Sequence, residues 1–231
     1  ISHQRSEVRN QQGTKTPRNQ PGFLTTETAE STERGYREGL GEILREIERG
    51  ELRSTAEAAE RALALHAMIE IAFGAPTEVI AAWIRENKLD AALSRQERGM
   101  LARKRDQLSE EELSNLGWSM EALWALVWAG GLIDALRVER PVGDNLAALL
   151  PNIQRSEDAS SFRRRFALRP AEEIYAMLDL YYRAHWYARD GQLKGYPTGA
   201  FSLDRIMERR RALEWISDRT LADWADTPED T

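Results

Sequence analysis

The chain has 231 residues, 42% hydrophobic and 30% charged, with a formal net charge of −6, which suits a globular protein with a sizeable core. The negative balance argues against general nucleic-acid binding, which needs a concentrated positive field against phosphates. There is no cysteine, so disulfides, thiol nucleophiles and thiolate metal sites are excluded, and a cytoplasmic location is expected for a cysteine-free chain without a signal-peptide pattern.

Residues 1 to about 32 carry few large apolar side chains (Ile1, Val8, Phe23 and Leu24) among Gln, Asn, Thr, Ser and Arg. Such a segment buries too little surface to offset its ordering entropy, so a flexible polar arm is expected there. It is either a tail or an arm that orders on a partner. A helical globular domain is expected over 33–231. Tyr36, Leu40, Ile43, Leu44 and Ile47 recur at helical spacing, with Gly50 as a stop. Ser54 is placed to cap a helix running through Ala58, Ala62, Leu65, Ile69 and Phe73 to Gly74, and Pro76 opens the next, through Ile80, Trp83 and Ile84.

Ser94 with Glu97 and Ser109 with Glu112 are capping-box patterns. The second box begins a long apolar helix ending near Gly130-Gly131. Its most apolar run, Ala122 to Ile133, is 12 residues long and is bounded by Glu121 and Asp134. A membrane span needs about 20 such residues, so a buried core helix is expected and no membrane association. A short helix is read from Asn145 to Leu150. Pro170 starts a helix to Gly191, with Glu172 and Glu173 suited to its N-terminal dipole, and Ser202 caps a last helix through Ile206, Leu213 and Ile216. No stretch alternates long enough for a strand. The fold class expected is all-α, one globular domain of about eight helices, with helices 109–130 and 170–191 packed on each other or on shared neighbours.

Candidate chemistry centres on two helices. Glu121 is the sole charge between Glu112 and Asp134, surrounded by Trp118, Met120, Leu123, Trp124 and Trp128. A helix apolar all round is buried, so this carboxylate needs a cationic partner or a proton. The expected partners are Arg183, His185 and Arg189, with Arg209-Arg210-Arg211 in reserve. On helix 170–191, Tyr175, Asp179, Tyr182 and Trp186 share one face and Leu178, Tyr181 and His185 an adjacent one, while Arg183 follows Asp179 at i+4 and pairs with it most simply.

Three readings follow, in descending order. The charged residues form a satisfied structural network; or Trp118, Glu121, Tyr182, His185 and Trp186 line a pocket for a small polar ligand; or Glu121 and His185 act as acid/base groups of a small-molecule enzyme. The leading expectation is a non-enzymatic protein that binds a small polar ligand or, given its acidity, a basic protein partner. The basic clusters Arg163–Arg165 and Arg209–Arg211 are read as solvated helix faces. His66 is read as a hydrogen-bonded core histidine, although Glu70 at i+4 could share a metal with it. At the Glu-x-x-His spacing, Leu63 precedes His66 and Tyr182 precedes His185, and His-Glu-x-x-His is missing, so no metal is expected. With no phosphate-binding loop and no nucleophile elbow, no cofactor is expected either.

Several segments together resemble a bacterial family of unknown function, DUF4272. They are Leu113–Leu123 (LSNLGWSMEAL), Trp128–Asp134 (WAGGLID), Leu168-Arg169-Pro170, Asp179–Trp186 (DLYYRAHW), Glu208–Trp215 (ERRRALEW) and Asp223–Thr231 (DWADTPEDT). The resemblance covers roughly residues 55–231. It implies that the Glu121 and Arg183/His185 segments belong to one helical unit, and it implies no activity. Arg210 stands where the family commonly has histidine and Glu214 where it commonly has asparagine, which counts against a site built on those two positions.

Overall fold

The structure, a computed structural model, describes residues 51–228, which fall within one compact unit, Glu46–Thr231. The expected arm over 1–32 and the helix read over Tyr36–Ile47 lie outside the described residues. Among the described residues there are eight α-helices and no strand, and no helix is long and apolar enough to cross a membrane.

Helix α1, Thr55–Ala72, starts on a complete capping box: the Ser54 hydroxyl accepts from the Glu57 N–H at 3.2 Å, and the Glu57 carboxylate accepts from the Ser54 N–H at 2.8 Å. Pro76 caps α2, Thr77–Glu86. Ser94 with Glu97 opens α3, Arg95–Leu101, and Ser109 with Glu112 opens α4, Glu110–Ala129, both as full boxes. Helix α4 ends where Gly130 meets the Phe166 ring and Gly131 turns left-handed at φ +71°. There the Leu132 N–H reaches back to the Val127 carbonyl at 3.1 Å.

Two short helices follow, α5 (Leu146–Leu149) and α6 (Ser160–Arg165). Pro170 leads into α7, Ala171–Lys194, which runs a turn beyond the expected stop. Gly191 does not end α7; it is a contact point, because a side chain there would strike Thr198 and Tyr196, and the left-handed residue that does end the helix is Gly195. Ser202 caps α8, Leu203–Ser217.

Helix α4 is the central element, with α1 packed along one side and α8 along another; α7 lies on α8, and α2 on α1. The two helices richest in candidate residues, α4 and α7, therefore meet through the shared neighbour α8. That makes α8 the structural key to the polar residues of both.

Candidate functional site

The residues marked by the sequence divide among separate neighbourhoods. Glu121, 7% exposed, projects from α4 onto α8, where Arg209 is fully buried. The Arg209 Nε and Nη2 donate to Glu121 at 2.8 and 2.5 Å, Nη1 donates to the Tyr181 hydroxyl at 3.0 Å and the Arg137 carbonyl at 2.8 Å, and Nη2 also reaches the Arg140 carbonyl at 2.9 Å. All five guanidinium N–H groups are thus used, which is what a buried arginine requires. Arg205 stands 3.5 Å from the other Glu121 oxygen. The partner is not Arg183 or His185, which bond to Asp179 and Arg210, but comes from the run held in reserve, Arg209–Arg211, whose face was otherwise expected to be solvated. Arg209 and Arg210 are interior because their side of α8 faces carboxylate, hydroxyl and imidazole acceptors on α4 and α7.

His185 is fully buried and accepts a hydrogen bond from Arg210 Nη1 at its Nδ1, 2.6 Å away. An arginine can only donate, so the ring proton sits on Nε2, which finds no hydrogen-bond partner among the described residues. Burial, then the charges of Arg210 and Arg189, push the His185 imidazole down to about 4. Tyr182 donates to Glu214, and burial followed by that carboxylate pushes its hydroxyl up. Asp179, itself partly buried, pairs with the exposed Arg183 one turn on. Trp118 and Trp186 are exposed, at 43% and 36%. Glu121 and His185 engage different arginines, each spent on its own partner.

A second buried pair joins Arg61 of α1 to Glu97 of α3 at 2.7 and 2.5 Å, with the Arg61 guanidinium 4.5 Å over the Trp224 ring. Burial raises the Glu97 carboxyl, but the Arg61 charge and hydrogen bonds from Arg61 and Ser94 outweigh it and hold it below the usual range.

The site that the sequence did not mark is a cleft of about 450 Å³ between α1, α4 and the 142–154 segment. Its floor is apolar, with Ile69, Met120, Leu123, Leu146 and Leu150, and its polar groups include His66, Glu70, Asp144 and Asn152. Gly143 lets this wall lie against α4, since a side chain there would sit 2.9 Å from the Trp124 ring. His66, 6% exposed, donates from Nε2 to the Pro151 carbonyl at 2.9 Å. A carbonyl only accepts, so Nδ1 presents a lone pair. Glu70 Oε1, another acceptor, lies 3.9 Å from it.

Burial lowers the His66 imidazole further than the Pro151 carbonyl and Glu70 raise it, so the neutral ring is favoured. Two acceptors therefore face each other, and among the described residues no donor lies between them. Among the described lining residues none is lysine or arginine. In sequence the i, i+4 spacing of His66 and Glu70 was visible, but nothing local joined them to Asp144. Among the described residues no group of three His, Asp or Glu side chains is placed to hold a metal ion.

The family model described as a domain of unknown function, DUF4272, matches residues 30–227, reaching further toward the N-terminus than the segments that carry the resemblance. Neither a curated protein nor a solved structure matches the chain.

Proposed function

The chain belongs to DUF4272, and we propose that it works by binding and not by catalysis, its ligand being a protonated amine on an apolar body, held in the cleft between α1 and α4. The observation that carries this reading is the acceptor pair of His66 Nδ1 and Glu70, 3.9 Å apart, with an apolar floor beneath. An ammonium placed there donates to both, while its hydrocarbon covers Leu123, Leu146 and Leu150. Asp144, at the rim, adds a second negative charge without a basic neighbour among the lining residues. The cleft volume is within the range of about 300–1,000 Å³ usual for small-ligand sites. A cytoplasmic setting belongs to the same proposal, as the cysteine-free sequence suits a reducing compartment. The acid/base alternative has less support: the His185 lone pair is taken up by Arg210, and Glu121 is tied to Arg209.

The reading is tested by titrating n-hexylamine, 1-hexanol and hexanoate into the protein and following amide and methyl resonances near Phe73, Met120 and Ala147. Hexylamine should bind in the cleft more tightly than the alcohol, and hexanoate weakest. Glu70→Gln removes the charge and places its own N–H toward His66, so affinity for the amine should drop roughly ten- to hundredfold, the equivalent of losing a charge-assisted hydrogen bond of about 1.5–3 kcal/mol. Equal binding of all three compounds, or none by the amine, would overturn it.

A further inference from the structure

We infer, resting on the amine-binding reading, that the amine is the side chain of a lysine in a protein partner, and that the same peptide segment seats a large apolar side chain in a second hollow beside Trp118. This hollow, of about 520 Å³, shares Met120 and Val142 with the cleft, so the two adjoin as halves of one groove. Ser114, Gly117 and Trp118 of α4 form one bank and Pro141 the other.

The groove is polarised along its length. In the hollow the ionisable lining group is Glu121, already neutralised by Arg209 and flanked by Arg205. In the cleft, Glu70 and Asp144 have no lysine or arginine in ion-pair reach among the described residues. One half thus suits hydrocarbon and the other a cation on a hydrocarbon stem. A lysine followed or preceded by a bulky apolar residue has that pattern. Its four methylenes cover the floor, and its compact ammonium fits between two acceptors better than a planar guanidinium would.

Two large aromatic side chains stand exposed on the groove, Trp118 at 43% and Phe73 at 66%, the residue type that anchors protein interfaces. The 141–151 bank, which borders both halves, is held at both ends by buried side chains. Arg209 holds the Arg137 and Arg140 carbonyls just before Pro141, and His66 holds the Pro151 carbonyl. A groove fixed in advance loses little entropy on binding. The net charge of −6 adds long-range attraction for a basic segment.

The test is fluorescence anisotropy with labelled Gly/Ser peptides that carry one lysine and one phenylalanine at graded spacings. Matched controls replace lysine by norleucine or phenylalanine by alanine. Hexylamine serves as competitor. The best-spaced peptide should bind at least roughly tenfold more tightly than hexylamine, be displaced by it, and lose at least roughly tenfold on either replacement. Ser114→Trp, made at an exposed position, fills the hollow and should weaken the peptide by a similar factor while leaving hexylamine affinity unchanged. If hexylamine binds but no peptide binds more tightly, or if the alanine peptide and Ser114→Trp make no difference, the lysine-peptide inference is overturned and the amine reading stands. A peptide that binds but is not displaced by hexylamine also overturns the inference. If hexylamine itself does not bind, both fall.

Discussion

Replacing Glu121 by alanine would leave the Arg209 guanidinium buried with no counter-charge. Arg209 is fully buried, and two of its five N–H donors go to Glu121. Removing one partner of a buried pair costs about 3–5 kcal/mol, mostly the penalty of the charge left behind. Against a domain stability of about 5–15 kcal/mol that is a large loss. Glu121→Gln keeps an acceptor oxygen and loses the charge, so about half that cost is expected. In the pair Glu121→Leu with Arg209→Met neither charge is stranded, so its cost should be well below the sum of the single costs, although the Tyr181 hydroxyl and the Arg137 and Arg140 carbonyls lose their donor.

The assay is urea unfolding at neutral pH, followed by tryptophan fluorescence and far-ultraviolet circular dichroism. Low and high salt should give the same difference, since a buried pair is hardly screened. Asp179→Ala, at the half-exposed i, i+4 pair with Arg183, should cost about 1 kcal/mol or less and weaken with salt. A loss under about 1 kcal/mol for Glu121→Ala, or strict additivity in the double variant, would refute the buried-pair reasoning.

Acid should destabilise the protein before its carboxylates titrate. The folded-state value of His185 is depressed to about 4 and that of His66 is lowered, so the unfolded chain takes up these protons first; stability is full above about pH 6.5 and falls toward pH 4, by up to about 3 kcal/mol for His185. Urea midpoints across that window should show the slope, and His185→Gln should flatten it; no slope in the wild type would contradict the prediction. Gly130→Ala should cost about 1–3 kcal/mol, because the new methyl would enter the Phe166 ring. Phe166→Leu in the same chain should recover part of the loss in calorimetry. Ser109→Ala removes the hydroxyl that accepts the Glu112 N–H at 3.1 Å and should cost about 1 kcal/mol, with a full-cost result near zero counting against the cap.

Several of these features were legible in residue order and others were not. The caps at Ser54, Ser94, Ser109 and Ser202 were readable to within a residue or so because such bonds close over three positions, and the starts at Pro76 and Pro170 because proline fixes its own φ and suits a helix entry. The burial of Glu121 was also readable, since no other charge interrupts its apolar stretch. Of helix α6 only the basic end, Arg163–Arg165, reads as helical in sequence, and its bounds do not, because its six residues bury only Phe162 and show no period. Gly191 looked like a stop because the Tyr196 and Thr198 contacts that require it come from a loop farther on.

The sequence by itself settles what is local: an all-α class for the globular part, its capped starts, and an interior carboxylate in need of a cation. It excludes thiol chemistry for want of any cysteine. Only the tertiary structure decides which cation answers Glu121, since Arg209 lies 88 residues away in a run of three arginines that residue order does not tell apart. It alone brings His66 and Glu70 of α1 beside Asp144 and Pro151. Short-range hydrogen bonds are written in neighbouring residues, whereas a charge pair or a cleft depends on which helix faces meet. Here that is decided by α8 lying between α4 and α7, and by the 142–154 segment folding back over α1.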